Sequence, residues 1–117
     1  MSVDVFTPVM IETKIHDIAQ RISASVKVCD ERYRAKLQTD RDYDAAYAQA
    51  YLAHEGPQAE KRYAAEDATT AKREARDVAE AAWKYADRLA RALSDELDAY
   101  RSLGVSVRQA YSTAGMS

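Results

Sequence analysis

Residues that would build anything other than helices are scarce in this chain of 117 residues. It contains one cysteine, three glycines and two prolines. A lone cysteine cannot form an intramolecular disulfide, so the framework of a small secreted domain is excluded. Strand-rich folds need more turn residues and more β-branched residues than this alanine-rich chain contains. The composition therefore predicts an all-α fold in a single domain.

The chain also lacks a large excess of charge of one sign and long apolar runs. The 17 basic and 19 acidic side chains leave a formal net charge of −2. That balance argues against a dedicated nucleic-acid binder, although it leaves room for a local basic patch. No apolar run reaches the roughly 18 residues of a membrane helix, and residues 1–10 do not form a signal peptide. We therefore expect a cytoplasmic protein that does not enter a membrane.

Recognisable catalytic and metal-binding motifs are absent as well. The sequence has no Ser-His-Asp set, no glycine-rich phosphate loop and no HExxH motif. His16 and His54 lie far apart in sequence, whereas zinc needs three or four converging ligands. Cys29 falls on an apolar stripe, where a cysteine acts as a small hydrophobe. We expect a protein that is not an enzyme and that binds no metal or cofactor.

What the chain does have is apolar residues at helical spacing, in steps of three or four. The first half carries Ile11, Ile15, Ile18, Ile22, Val26, Cys29, Tyr33 and Leu37. The second half carries Val78, Ala82, Tyr85, Leu89, Leu93, Leu97 and Tyr100. Both series contain positions that recur every eleven residues, a period close to that of a straight α-helix. This shared period predicts that the two halves of the chain lie side by side.

Two local signals give the ends of these helices. Thr7 can cap a helix whose first residue is Pro8, where the missing N–H costs nothing. Gly56-Pro57 is the strongest break, because glycine favours a helix end and proline the first position of the next helix. A connection this short folds two helices back on each other. The sequence therefore predicts a long antiparallel helical hairpin, with helices at about 8–55 and 57–103.

Two further positions could interrupt the helices. Gly104 follows the last strong apolar residues, which predicts a bend and a short C-terminal helix at about 105–114. The polar stretch around Asp40 is compatible with a new helix cap, but nothing in it forbids a continuous helix, which we favour. Apolar side chains are too few to fill a compact globule, so part of the apolar stripe is expected to pack against another copy of the chain.

Basic and aromatic residues of the second arm form the candidate nucleic-acid site. Tyr63 follows two basic residues near the tip of the hairpin, a pairing suited to phosphate and base contacts. The candidate residues are Lys61, Arg62, Tyr63, Lys72, Arg73 and Arg76. Acidic residues are interleaved with them, and pairs such as Glu80–Lys84 have the spacing of helical ion pairs. The alternative is therefore an ordinary solvated face, which is the favoured interpretation of the charges alone.

The C-terminal part of the chain contains the segment Glu96–Arg108, ELDAYRSLGVSVR, followed by Tyr111 and Ala114-Gly115. In these residues, and in its layout, the chain resembles the UvsY recombination mediators of tailed phages. The segment Asp44–Gly56 before the turn and the pair Trp83 and Tyr85 have similar places in the pattern. The chain also looks like small alanine-rich hairpin proteins encoded by phages of actinobacteria, which points to a phage origin.

The resemblance implies a role in recombination-dependent replication. Members of that family bind single-stranded DNA, form ring-like oligomers through their C-terminal part, and load a recombinase onto DNA covered by single-strand binding protein. The corresponding oligomer interface here is Leu93, Leu97, Tyr100, Leu103, Val105, Val107 and Tyr111. The family's basic cluster before the turn is replaced by Ala48, Gln49 and Ala50, so the second arm must supply any charge that binds DNA.

Three functional hypotheses follow from these features. The leading one is a non-enzymatic, homo-oligomeric accessory factor that binds single-stranded DNA weakly. The second is a coiled-coil interaction module that binds or inhibits a host protein without contacting DNA, which the near-neutral charge favours. The third is an assembly factor of the virion.

Overall fold

The fold is all-α, and the prediction of a long antiparallel helical hairpin is confirmed. The computed structural model describes residues 6–115. They form α1 (Pro8–Ala53), α2 (Gln58–Ala68) and α3 (Thr70–Gly115). None of these helices is both long and apolar enough to cross a membrane.

The helix α1 begins as the sequence indicates and runs without a break. The Met10 amide donates to the Thr7 hydroxyl at 3.2 Å, which satisfies a donor that the start of a helix leaves free. The polar stretch near Asp40 is helical throughout. Lys36 reaches the Asp40 carboxylate at 3.3 Å, one turn further along. Such side-chain pairs at i, i+4 support a helix locally, by a few tenths of a kcal/mol each.

The helices divide into two compact units, each built from both arms of the hairpin. The first unit joins the described residues up to Lys27 with those from Arg88 onward. Its core is Ile18 with Leu93 and Leu97, all less than a tenth exposed, and Ile15, Ile22 and Tyr100 pack around it. Burying a leucine or isoleucine stabilises a fold by about 1.5–3 kcal/mol relative to exposing it. This small cluster therefore accounts for much of the unit's stability.

The second unit, Val28–Asp87, is held by aromatic and cationic side chains. The rings of Tyr33 and Trp83 lie 5.3 Å apart, and the Lys36 ammonium lies 5.6 Å from the Trp83 ring. Arg32 donates to the Ala82 carbonyl at 3.2 Å. Tyr43 lies further along α1 than Tyr33, and the residue that it contacts on the other arm, Arg76, lies earlier in the sequence than Trp83. The two arms of this unit are therefore antiparallel.

The chain reverses between Ala53 and Gln58, at the step that the sequence indicates. Gly56 has a φ of 142°, a backbone conformation that residues with a Cβ rarely adopt. Glycine is therefore required there by the backbone itself. The first helix stops two residues before the predicted end at residue 55, because His54 and Glu55 belong to the turn.

The predicted bend at Gly104 and the separate helix at 105–114 are absent. Instead α3 continues to Gly115. Gly104 is buried, and a Cβ placed on it would come within 3.3 Å of the Ile11 side chain. Its lack of a side chain lets Ile11, which is 2% exposed, pack directly on the helix. The glycine permits a close approach between helices rather than a bend.

The second arm is interrupted at Thr69, which the sequence did not predict. Thr69 has φ −109° and ψ 13° and separates α2 from α3. Its buried hydroxyl donates to the Ala65 carbonyl at 2.6 Å, and Arg73 donates to the Glu66 carbonyl at 2.8 Å. Hydroxyl bonds to the preceding turn bend helices. These side chains satisfy carbonyl groups at the interruption, so it needs neither glycine nor proline.

The apolar stripes also differ from the prediction. Val78 and Tyr85 are 69% and 59% exposed, whereas Ala86, one position after Tyr85, is 4% exposed. In the other unit, Leu89 is 41% and Val26 66% exposed. Alanine lets two helices approach closely, and a larger side chain at the same place would separate them. The face of α3 that packs in the second unit therefore combines the small Ala86 with the ring of Trp83, while Val78 and Tyr85 lie outside it.

Candidate nucleic-acid interface

The first part of the candidate site is formed by three successive residues of α2. Lys61 is half-buried and its ammonium lies 5.8 Å from the ring of Tyr51 on α1. Arg62 and Tyr63 point outward, with the guanidinium carbon 5.3 Å from the Tyr63 ring. Successive helical positions are turned by about 100°, so a run of three cannot share one face. Lys61 therefore belongs to the packing between arms, while Arg62 and Tyr63 are available to a ligand.

A ladder of tyrosines on α1 lies in the same unit as these residues. Tyr43, Tyr47 and Tyr51 follow each other at intervals of four, so their rings line one face of the helix. The centroids are 6.1 Å apart in the first pair and 6.4 Å apart, with nearly parallel planes, in the second. All three rings are half-buried. Part of each ring is therefore used in packing, and part is left accessible.

Cations from the second arm contact both ends of this ladder. The Arg76 guanidinium lies 4.3 Å from the ring centroid of Tyr43, and Lys61 lies over Tyr51 at the other end. A cation over an aromatic face is worth about 0.5–2 kcal/mol, depending on how far it is desolvated. These two basic residues, predicted to meet phosphate, are thus used to join the arms of the hairpin.

The remaining predicted basic residues also divide into those that contact the protein itself and those that are exposed. Arg73 donates to the Glu66 carbonyl at the interruption of the arm, while Lys72 beside it is exposed. Arg76 also lies 3.7 Å from the Asp77 carboxylate, and Lys84 pairs with Glu80 at 3.5 Å, as its spacing predicts. Of the six candidates, Arg62, Tyr63 and Lys72 are therefore the ones with the most open side chains.

An open groove is present where α1 ends and α2 begins. It is lined by Tyr47, Tyr51, Gln58, Ala59 and Arg62. Only Arg62 of this set was predicted as a site residue. The signal that could have found the others is the tyrosine spacing before the turn combined with basic residues just after it, since an antiparallel hairpin brings those two segments together.

Beside the groove, a histidine of the turn lies near a carboxylate of α2. His54 Nε2 is shielded from solvent and has no hydrogen-bond partner in the part of the chain that the structure describes. It lies 3.7 Å from the Glu60 carboxylate, which is too far for a good hydrogen bond. The other histidine, His16, is exposed on α1. Among residues 6–115, no group of three potential ligand side chains is placed to hold a metal ion.

The residues predicted to form an oligomer interface all lie in the first unit, but they differ in exposure. Leu93 and Leu97 are packed against Ile18 of the same chain, so little of their surface is left for another copy. Tyr100, Leu103 and Val107 are half-buried. Val105 and Tyr111 are 48% and 49% exposed. Of the seven predicted interface residues, Val105 and Tyr111 therefore have the most surface left for contact with another copy.

No family model, curated protein or solved structure matches this chain.

Proposed function

We propose that this protein is a non-enzymatic accessory factor in phage DNA recombination or replication, which binds single-stranded DNA weakly and acts as a homo-oligomer. The observation that carries the proposal is the exposed pair Arg62 and Tyr63 on α2, beside the groove at the turn. A guanidinium can meet a phosphate, and an exposed ring can stack on a base of any sequence. The likeness to the UvsY mediators supports a recombinase or a single-strand binding protein as the protein partner.

The charge distribution supports weak binding by each chain. The net charge is −2, and Lys61 and Arg76 are engaged with tyrosine rings. Within the candidate site this leaves Arg62 and Lys72 as the exposed cations that can displace counterions from a phosphate backbone, so one chain gains little affinity there. Several chains on one strand would add their contacts, because the second chain to bind acts at a high effective concentration. The exposed Val105 and Tyr111 are the residues through which we propose that copies associate.

Fluorescence anisotropy with a labelled single-stranded oligonucleotide tests this function. The titration is run at low and moderate salt, on protein whose mass is known from light scattering. We expect salt-sensitive binding by an oligomer, and weaker binding for Arg62→Glu and Lys72→Glu. The control is Lys14→Glu, which makes the same charge change at an exposed position of the first unit. No binding at low salt, or equal losses for all three variants, would overturn the proposal.

A second candidate is a protein-interaction module that does not contact DNA. The observation that favours it is the exposure of Val78 and Tyr85, two large apolar side chains of α3 in the second unit. A module of this kind would keep its activity in Arg62→Glu and lose it in Val78→Asp. The anisotropy experiment separates the candidates, because a module without DNA contact shows no salt-dependent signal.

A further inference from the structure

The groove at the turn combines three kinds of chemistry in one place. The nearly parallel rings of Tyr47 and Tyr51 supply aromatic surface. The side-chain amide of Gln58, the first residue of α2, supplies both a donor and an acceptor. The Arg62 guanidinium, one turn further on, supplies a cation with several donors. Ala59 completes the lining and leaves space open because its side chain is small.

Each of these groups matches one part of a nucleotide. A base has two flat faces that stack on aromatic rings, with about 1–3 kcal/mol per base in measured cases. Its edge presents donors and acceptors of the kind that an amide recognises in pairs. Its phosphate carries the charge that a guanidinium binds. A paired base in a duplex cannot offer its faces in this way, since both are covered by its neighbours.

We propose that this groove holds one unpaired nucleobase of a single strand, stacked on the tyrosine pair, with its phosphate at Arg62. The inference rests on the proposed function and names the part of the ligand that the groove receives. It makes each chain selective for unpaired bases, whereas charge alone would attract single and double strands alike. It also explains how a chain without a basic cluster before the turn can contact DNA there.

The position of Ala59 allows a test that does not remove any interaction of the fold. Ala59 is exposed and helical, and leucine is nearly as good a helix former as alanine. Ala59→Leu should therefore leave the hairpin intact while filling the groove. Ala75→Leu is the matched control, since Ala75 is also an exposed alanine in a helix of the same unit. Circular dichroism and thermal unfolding verify that both variants are folded.

The probe is a labelled oligonucleotide that contains 5-iododeoxyuridine, which cross-links on irradiation to a ring stacked on it. We expect a cross-link to Tyr47 or Tyr51, mapped by mass spectrometry. We expect about tenfold weaker single-strand binding for Ala59→Leu, no change for Ala75→Leu, and no effect of either on binding to a duplex. Tyr51→Leu provides a second variant and should lower the affinity by a similar factor.

The outcomes separate the groove from the wider function. If Ala59→Leu binds as tightly as the unmodified chain while Arg62→Glu does not, the groove proposal is wrong and the proposed function stands. Cross-links found only at Tyr63 or Tyr85 have the same meaning. If the unmodified chain does not bind the oligonucleotide at low salt, both proposals fail together.

Discussion

Leu97 and Leu89 offer a direct test of which face of α3 packs in the first unit. They are the same residue type on one helix, two turns apart, and the sequence places them on a single stripe. In the structure Leu97 is 8% exposed and Leu89 is 41% exposed. Truncating a buried leucine to alanine costs about 2–5 kcal/mol, depending on how far the cavity collapses. We expect Leu97→Ala to cost about 2–3 kcal/mol, because a two-helix core can relax, and Leu89→Ala about 1 kcal/mol or less.

Urea unfolding followed by circular dichroism gives both free energies of unfolding. Running each titration at two protein concentrations shows whether Leu97 packs within the chain or between copies. A side chain covered by its own chain lowers the stability by the same amount at both concentrations. The cost of losing an intermolecular contact falls on dilution, because the unmodified chain then dissociates as well. Equal costs for the two variants, or a concentration-dependent cost for Leu97→Ala, would refute the assignment of Leu97 to the intrachain core.

Three further substitutions test local features that stabilise the fold, and the same unfolding measurement is used for each. Gly56→Ala should lower the stability by about 1–3 kcal/mol, because alanine is strained at a φ of 142°; an unchanged midpoint would show that the turn adopts another conformation. Thr69→Val keeps the shape of the buried side chain but loses its hydrogen bond to Ala65, so we expect the stability to fall by about 0.5–1.5 kcal/mol. A higher stability would mean that the interruption at Thr69 is strained. Arg32→Met removes the donor to the Ala82 carbonyl at 3.2 Å and should lower the free energy of unfolding by about 1 kcal/mol. The intrinsic fluorescence of the single tryptophan should report the same loss of stability. An unchanged stability would indicate that this contact is not maintained.

The parts of the fold that were predicted correctly depend on local chemistry. The Thr7-Pro8 start acts through one side-chain cap and one fixed φ angle, so a few residues are enough to recognise it. The turn at Gly56 is local in the same sense, since the backbone conformation itself requires glycine. The all-α hairpin follows from these signals together with the helical spacing of apolar residues between them.

The parts that were missed depend on distance between helices rather than on local preference. Hydrophobicity places Val78 and Tyr85 on the packing stripe, yet Ala86 is the buried residue in that part of α3. An alanine contributes little to an apolar pattern but determines how closely two backbones approach. Gly104 was misinterpreted for the same reason. Its role depends on Ile11, which lies far away in sequence.

The candidate site was predicted by residue type and only in part by position. Lys61 and Arg76 were expected to meet phosphate, but their cations lie over tyrosine rings of the other arm. Such pairs depend on the register of the hairpin, which the charge pattern of one arm does not contain. The groove was not predicted, because its lining comes from both sides of the turn and the tyrosines before the turn were not considered together with the basic residues after it.

The number of cations that are available to meet phosphates determines the salt dependence of binding that a titration measures. If only Arg62 and Lys72 meet phosphates, one chain neutralises about two charges, and the slope of log affinity against log salt on a single strand is about −1.4. A slope near that value would mean that single chains bind independently. A slope three or four times steeper requires either several chains on one strand or the release of Lys61 and Arg76 from their tyrosines. The double variant Lys61→Gln and Arg76→Gln distinguishes these, because it removes both cations that lie over tyrosine rings. An unchanged slope assigns the added contacts to further chains, and a shallower slope assigns them to the released cations.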